Sequence, residues 1–237
     1  MNPRFSCGLL VMPLRETPAE SAECGTSLLL GEGYQLLKTV EKENGSVWHH
    51  IQCEHDGYLG YISDAYHSLS STPITNPIKV RKSFPSKENP NLHVSPGSLL
   101  ENTEADNCDI TAIEFLHQFL GTPYLWGGRS MMGIDCSGFT QVFMDYLGYK
   151  MPRNASQQYQ IGEPINFGHH QFGDLAYFGN QTTVGNTKIT HVGVVISKNT
   201  IMHASGCVRQ DGFTHEGIIR MDDHKLTHNL IGIKRMN

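Results

Sequence analysis

The stretch Gly121-Thr-Pro-Tyr-Leu-Trp-Gly-Gly-Arg-Ser-Met-Met-Gly-Ile-Asp-Cys-Ser-Gly-Phe-Thr140 decides how the chain is read. It places a cysteine behind a glycine-rich loop and at the first turn of an apolar helix. After Cys136, the residues Phe139, Val142, Phe143, Tyr146 and Leu147 recur at helical spacing, and Gly148 supplies a stop. The thiol therefore falls at a buried helix N-terminus, where free N–H groups and the positive end of the dipole favour a thiolate. A random cysteine is more often a small buried hydrophobe, so the nucleophile reading needs a base.

Two histidines supply candidates. Thr190-His-Val-Gly-Val-Val-Ile-Ser197 reads as a buried strand led by His191, and Ile201-Met-His-Ala-Ser-Gly206 as an adjacent strand carrying His203, with Lys198-Asn-Thr200 as the turn. Antiparallel pairing puts the two imidazoles side by side. His191 then takes the thiol proton, and His203 holds its other ring nitrogen and fixes its tautomer, a Cys-His-His version of the papain-like triad.

At Thr-Pro-Tyr-Leu-Trp-Gly-Gly, Asp-Cys-Ser-Gly, Pro-Arg-Asn-Ala, Phe-Gly-Asp-Leu-Ala-Tyr-Phe and Thr-His-Val-Gly-Val the chain resembles the NlpC-type family of bacterial cell-wall cysteine peptidases, over roughly 110–237. The resemblance implies cleavage of the γ-D-glutamyl to diamino acid bond of murein peptides, with Cys136 as nucleophile, His191 as base and His203 as third member. It also implies that Tyr124 helps to hold the oxyanion, with the Cys136 backbone N–H as second donor. The competing reading of Tyr124 is a half-buried aromatic after Pro123.

Around this core, Thr111-Ala-Ile-Glu114 offers a capping box, and Ile113, Leu116 and Leu120 a helical stripe ended by Gly121 and Pro123. Phe172 to Gly179 reads as a turn into a buried strand, and Asn229 to Met236 as a closing strand. Two helices followed by strands give an α+β, papain-like core over 106–237.

The first 69 residues differ in kind. Short apolar runs at 8–14, 27–30, 34–39, 47–52 and 58–63, separated by turns such as Asn44-Gly45 and Asp56-Gly57, predict a small five-stranded β-barrel. Pro13-Leu-Arg15, Leu30-Gly-Glu32 and Asp56-Gly-Tyr-Leu-Gly-Tyr61 resemble the bacterial SH3-like domain that precedes such peptidases. Residues 70–105, with Pro73, Pro77, Pro85, Pro90 and Pro96, read as a surface connector too poor in aromatics for a core.

In relatives with this domain order the barrel restricts cutting to peptides with a free N-terminus. Carried over, that implies Tyr58 and Glu23 on the barrel, Asp135 and Ser137 beside the nucleophile, and Trp126 as a cleft wall. A desolvated ammonium needs such a carboxylate partner. The plain alternatives are a solvated loop charge for Glu23, a helix cap for Asp135, a barrel aromatic for Tyr58 and a packed aromatic for Trp126.

The 237 residues carry a net charge of −5, which argues against nucleic acid as a partner. No apolar run reaches membrane-spanning length, and the first fourteen residues lack a leader pattern, so the chain reads as cytoplasmic, with export as the alternative for a trimmed sequence. Six cysteines, at 7, 24, 53, 108, 136 and 207, show no metal-ligand spacing, and no cofactor or metal is expected. The pairs His49-His50 and His169-His170 read as surface residues. The expected substrate is a murein peptide, L-Ala-γ-D-Glu carrying a diamino acid such as meso-diaminopimelate. The alternatives are a hydrolase of intact crosslinked wall with the barrel as anchor, a silent wall-binding module, and lipid-directed thiol chemistry, whose usual histidine-before-cysteine order is reversed here.

Overall fold

The computed structural model describes residues 2–101, 109–181 and 187–237. Cys108, the last residues of the expected connector and the first of the expected peptidase domain lie outside them. The chain divides into two compact units, Met1–Gln118 with Leu125–Gly133, and Phe119–Tyr124 with Ile134–Asn237.

In the first unit, β1 (Arg4–Ser6), β2 (Val11–Arg15), β3 (Cys24–Leu29), β4 (Gly33–Glu41), β5 (Val47–Cys53) and β6 (Leu59–Ser63) form one antiparallel sheet in the order β1-β4-β5-β6-β2-β3. Alternation drives the curl: Met12 and Leu14 of β2 point inward and meet Leu28, Tyr34, Ile51 and Ile62 in the barrel core. The reading from sequence gave five strands. The sixth, β1, has three residues and is too short to display a period. A one-turn helix α1 (Asp64–His67) follows β6. His49, expected at the surface, is buried: it bonds Asp64 at 2.9 Å and Thr39 at 3.0 Å.

The connector is not bare. Strands β7 (Ile78–Lys79) and β10 (Leu99–Leu100) pair, as do β8 (Phe84–Pro85) and β9 (His93–Val94). Val80, Val94 and Leu100 form a small core with Leu10, Leu30 and Phe84, which corrects the expectation that the segment is too poor in aromatics for one. Helix α2 (Ala112–His117) carries the expected capping box between Thr111 and Glu114, and groups with this unit. Its inward residues are Phe115 and Leu116, and beyond its end Phe119 is buried while Leu120 is exposed, which corrects the predicted stripe.

The segment Leu125–Gly133, with the two-residue strand β11 (Arg129–Ser130), also belongs to the barrel unit, so no single boundary separates the units. Gly127 sits at φ +78°, and a Cβ there would lie 2.2 Å from the Cys24 carbonyl oxygen, so only glycine fits. Arg129 is buried and makes a two-pronged ion pair with Glu32, at 2.7 and 3.0 Å.

After Phe119–Tyr124 the second unit resumes at the end of strand β12 (Gly133–Ile134), followed by α3 (Cys136–Tyr146) and the short α4 (Ala155–Gln158). Its sheet comprises β13 (Glu163–Ile165), β14 (Leu175–Gln181), β15 (Thr187–Ser197), β16 (Thr200–Ser205), β17 (Cys207–Phe213), β18 (Gly217–Ile219) and β19 (Leu226–Arg235). Their order is β13-β19-β14-β15-β16-β17-β18, and a further β18–β19 pairing closes six of them on themselves. Ala176, Phe178, Val195, Ile201, Phe213, Ile218 and Ile233 fill the interior, and α3 packs against β15. Among the described residues no helix is long and apolar enough to cross a membrane.

Candidate active site

The nucleophile candidate owes its position to the cap of α3. Asp135 is extended and accepts the Gly138 N–H at 2.7 Å, which starts the helix at Cys136. Arg153 holds the Asp135 carboxylate with both guanidinium nitrogens and donates to Ser137 Oγ at 2.9 Å. Gln158 of α4 donates to the Ser137 carbonyl at 3.0 Å and accepts from Thr140 at 2.8 Å, fastening the first turn from the other side. Asp135 and Ser137, expected to bind substrate, are buried and engaged in this frame.

Strands β15 and β16 pair antiparallel with Gly193 opposite His203, so His191 lies one diagonal step from it. The expected juxtaposition is present: His191 Nε2 and His203 Nδ1 are 2.8 Å apart. Behind them, His203 Nε2 lies 3.0 Å from Asp211 Oδ2 on β17. The other Asp211 oxygen accepts the Met221 N–H at 2.9 Å and an Arg209 N–H at 3.1 Å. On the remaining face His228 of β19 stacks on His191, with centroids 4.2 Å apart and planes at 27°. Asp211, His228 and Arg153 had no place in the sequence reading of the site.

The electrostatics favour a neutral resting pair. Burial, seconded by Asp135, pushes the Cys136 thiol up to about 12, against the pull of the Val192 and Ser137 amides and of Arg153. Burial, then His203 and His228, hold His191 well below the usual histidine range. The helix terminus expected to favour a thiolate is thus outweighed by desolvation. Burial likewise lowers His228, to about 4.

Tyr124 is positioned by the turn between β16 and β17. Its N–H donates to the Gly206 carbonyl at 2.9 Å, and Gly206 sits at φ +72°. Burial, then the neighbouring Cys136 and Asp135, push its phenol above the ordinary tyrosine value, so it stays a proton donor in a hydrogen bond.

The remaining candidates lie in the barrel unit. Tyr58 is half-buried and its hydroxyl bonds Glu16, whereas Glu23 is exposed and Trp126 is 59% exposed. An acid beside Tyr58 is therefore Glu16. For metal binding, His191, His203 and His228 offer ring nitrogens all within 4.8 Å of one another. A cation there would compete with the His191–His203 hydrogen bond.

A capped helix carrying a thiol against a sheet that carries two bonded histidines is the layout of a papain-like cysteine hydrolase. Residues 121–225 match the NlpC/P60 family and residues 14–65 the bacterial dipeptidyl-peptidase SH3 domain, so the chain carries an NlpC/P60 domain with that SH3 domain ahead of it. It is 38% identical over 86 residues to the gamma-D-glutamyl-L-lysine dipeptidyl-peptidase of Bacillus subtilis, covering 36% of this chain and 28% of that protein. It is 37% identical over 106 residues to the probable endopeptidase NlpC of Escherichia coli, covering 44% of this chain and 62% of that one. The chain thus spans less than two thirds of either relative. A crystal structure of an NlpC/P60 family protein from Bacillus cereus shares the fold, with a TM-score of 0.72 and 19% identity over 98% of this chain and 99% of that one.

Proposed function

We propose that the chain is a cysteine endopeptidase that cleaves the γ-D-glutamyl to diamino acid bond of murein peptides, preferring those with a free N-terminal L-alanine. The observation that carries the chemistry is the hydrogen-bonded His191–His203 pair, with Nε2 of His191 engaged and Nδ1 left for the thiol. Cys136 attacks the γ-carbonyl as its proton passes to His191 Nδ1. Tyr124 and the Cys136 N–H take the developing oxyanion, typically worth a few kcal/mol per donor. His191 returns the proton to the leaving amine, and water, deprotonated by the same base, clears the thioester.

The bond specificity is supported by the name of the Bacillus subtilis relative, a gamma-D-glutamyl-L-lysine dipeptidyl-peptidase. The amine preference rests on the sequence resemblance that singles out Tyr58, Glu23, Trp126, Asp135 and Ser137. A recycling role on free peptides goes with a cytoplasmic location. The test is hydrolysis of L-Ala-γ-D-Glu-meso-diaminopimelate, with the amine free or acetylated, followed by mass spectrometry for wild type and Cys136→Ala. The expected result is cleavage of the free-amine peptide by wild type alone. Equal cleavage of both peptides refutes the amine preference and points to intact wall. No cleavage of either refutes the peptidase reading.

A further inference from the structure

Asp211 stands at the end of a line of three buried side chains, yet nothing in the proposed chemistry uses it. A carboxylate is acceptor-only, so the 3.0 Å contact requires a proton on His203 Nε2. In a neutral imidazole that leaves His203 Nδ1 as an acceptor, and the 2.8 Å contact then requires a proton on His191 Nε2. The same logic leaves His191 Nδ1 with its lone pair. One carboxylate thereby sets two tautomers in series and turns the basic nitrogen outward.

We propose that Asp211 is a positioning residue for this site: through His203 it holds His191 in the Nε2–H tautomer and stabilises the positive charge that arises when His191 accepts the thiol proton. The step balances simply. The S–H bond of Cys136 breaks, a bond from that hydrogen to His191 Nδ1 forms, sulfur keeps the electron pair, and the imidazolium charge lies in line with the Asp211 carboxylate.

The surroundings support this use. Asp211 and His203 are 2% and 1% exposed, so their attraction is little screened. Arg209, two residues away on β17, takes part of the carboxylate's charge and is itself shared with Asp222 at 2.7 Å, while the Met221 N–H fixes the carboxylate's rotation. The other titratable neighbours are His228 of β19, which stacks on His191, and Cys136 with Asp135 and Arg153 at the start of α3. His228 and Arg153 resist a positive charge on His191, and the Cys136 thiolate that balances it at first loses its charge to the carbonyl oxygen during attack, so Asp211 is the acid placed to hold it through His203.

The inference rests on the cysteine-hydrolase reading, but its tests need no substrate. Long-range nitrogen NMR of the uniformly labelled full chain near neutral pH is expected to show both His191 and His203 as Nε2–H tautomers. A protonated Nδ1 on either neutral ring in wild type overturns the proposal whether or not any variant folds. Asp211→Asn, with its melting compared to wild type, is expected to mix the tautomers. It should slow alkylation of Cys136 by iodoacetamide about 10- to 100-fold and move the acid limb of that reaction to lower pH. With the tripeptide as substrate, kcat falls by the same range and KM stays within about twofold. A variant with wild-type tautomers, alkylation profile and kcat makes Asp211 merely structural. Failure to cleave the tripeptide with the tautomers as expected would refute the substrate reading and leave this one standing.

Discussion

Replacing Arg129 with methionine removes one half of a buried ion pair and leaves the other half in place. Arg129 donates to both Glu32 oxygens, at 2.7 and 3.0 Å, and to the Ser27 carbonyl at 2.9 Å, while the Leu29 N–H reaches Glu32 at 2.8 Å. The two side chains are 2% and 6% exposed. In Arg129→Met the Glu32 carboxylate keeps one N–H and loses its counter-charge, a situation that costs about 3–5 kcal/mol in buried pairs. Removing the charge from both sides, as in Arg129→Met with Glu32→Leu, leaves chiefly the Leu29 N–H unsatisfied, about 1–3 kcal/mol. The double variant is therefore expected to be more stable than Arg129→Met. Urea unfolding followed by tryptophan fluorescence reads this unit, because Trp48 is buried in the barrel. The pH dependence has a definite sign. Burial pushes Glu32 up, but the charges of Arg129 and His55 and the bonds it accepts outweigh it, so its folded pKa lies below the usual 4.5. Its stabilisation is fully present above the unfolded value and lost as pH falls through the folded one. Without Arg129 burial is opposed only by His55 and the Leu29 N–H, the folded pKa rises, and the deficit of the variant narrows as pH drops from 7 towards 4. A loss under about 1 kcal/mol at pH 7, or a deficit that grows on acidification, would refute the assignment.

Cys136→Ala is expected to lower turnover of the tripeptide by at least about a thousandfold, and residual activity above that refutes the nucleophile. His203→Ala should lose less than His191→Ala, since it orients the base; a wild-type rate in His203→Ala means that another group does so. With His191 held below the ordinary histidine value, kcat/KM is expected to fall in acid with a midpoint below 6.5. With the thiol pushed up to about 12, iodoacetamide is expected to react with Cys136 at pH 7 more slowly than with an exposed thiol of ordinary value, whereas a faster reaction would indicate a standing ion pair. Zinc should inhibit reversibly through the three imidazoles that approach within 4.8 Å, and His228→Gln should weaken that inhibition; equal inhibition of both proteins removes His228 from the metal's reach.

What the sequence displayed were features with a period or a local chemical signature. Cys136 lies on a helix whose apolar repeat is plain, and the buried runs after His191 and around His203 read as strands because neighbouring residues repeat a local pattern. Asp211 escaped because it sits in Val208-Arg-Gln-Asp-Gly212, a polar run that looks solvated; only strand pairing turns that carboxylate inward to His203. His228 escaped because its place beside His191 depends on the β18–β19 closure of the sheet, which no local pattern announces. Arg153 and Asp135 each stood in a quoted motif, but their contact did not show, since a hydrogen bond across 18 residues leaves no periodic trace. In the barrel, Tyr58 and Glu23 were singled out by resemblance, while the Tyr58 hydroxyl donates to Glu16, a contact across 42 residues that no local pattern announces.

The nucleophile and the carboxylate answer one energetic problem. Burial and the neighbouring Asp135 push the thiol up to about 12, so a standing thiolate is unfavourable at pH 7. The base beside it is no easier to charge, because burial and two neighbouring imidazoles oppose an imidazolium at His191. A resting ion pair is therefore unfavourable on both sides, which spares the free thiol from alkylation and oxidation. The same two penalties must fall when a substrate carbonyl arrives, or the reaction would be as slow as the resting state is inert. Negative charge leaves sulfur for the carbonyl oxygen, where Tyr124 can donate to it. Positive charge on His191 gains its counterpart through His203 from Asp211, two short contacts away. Reactivity then appears only when both ends of the charge separation have a partner, which makes the burial of Cys136 compatible with catalysis and makes the carboxylate behind the second histidine part of the reason.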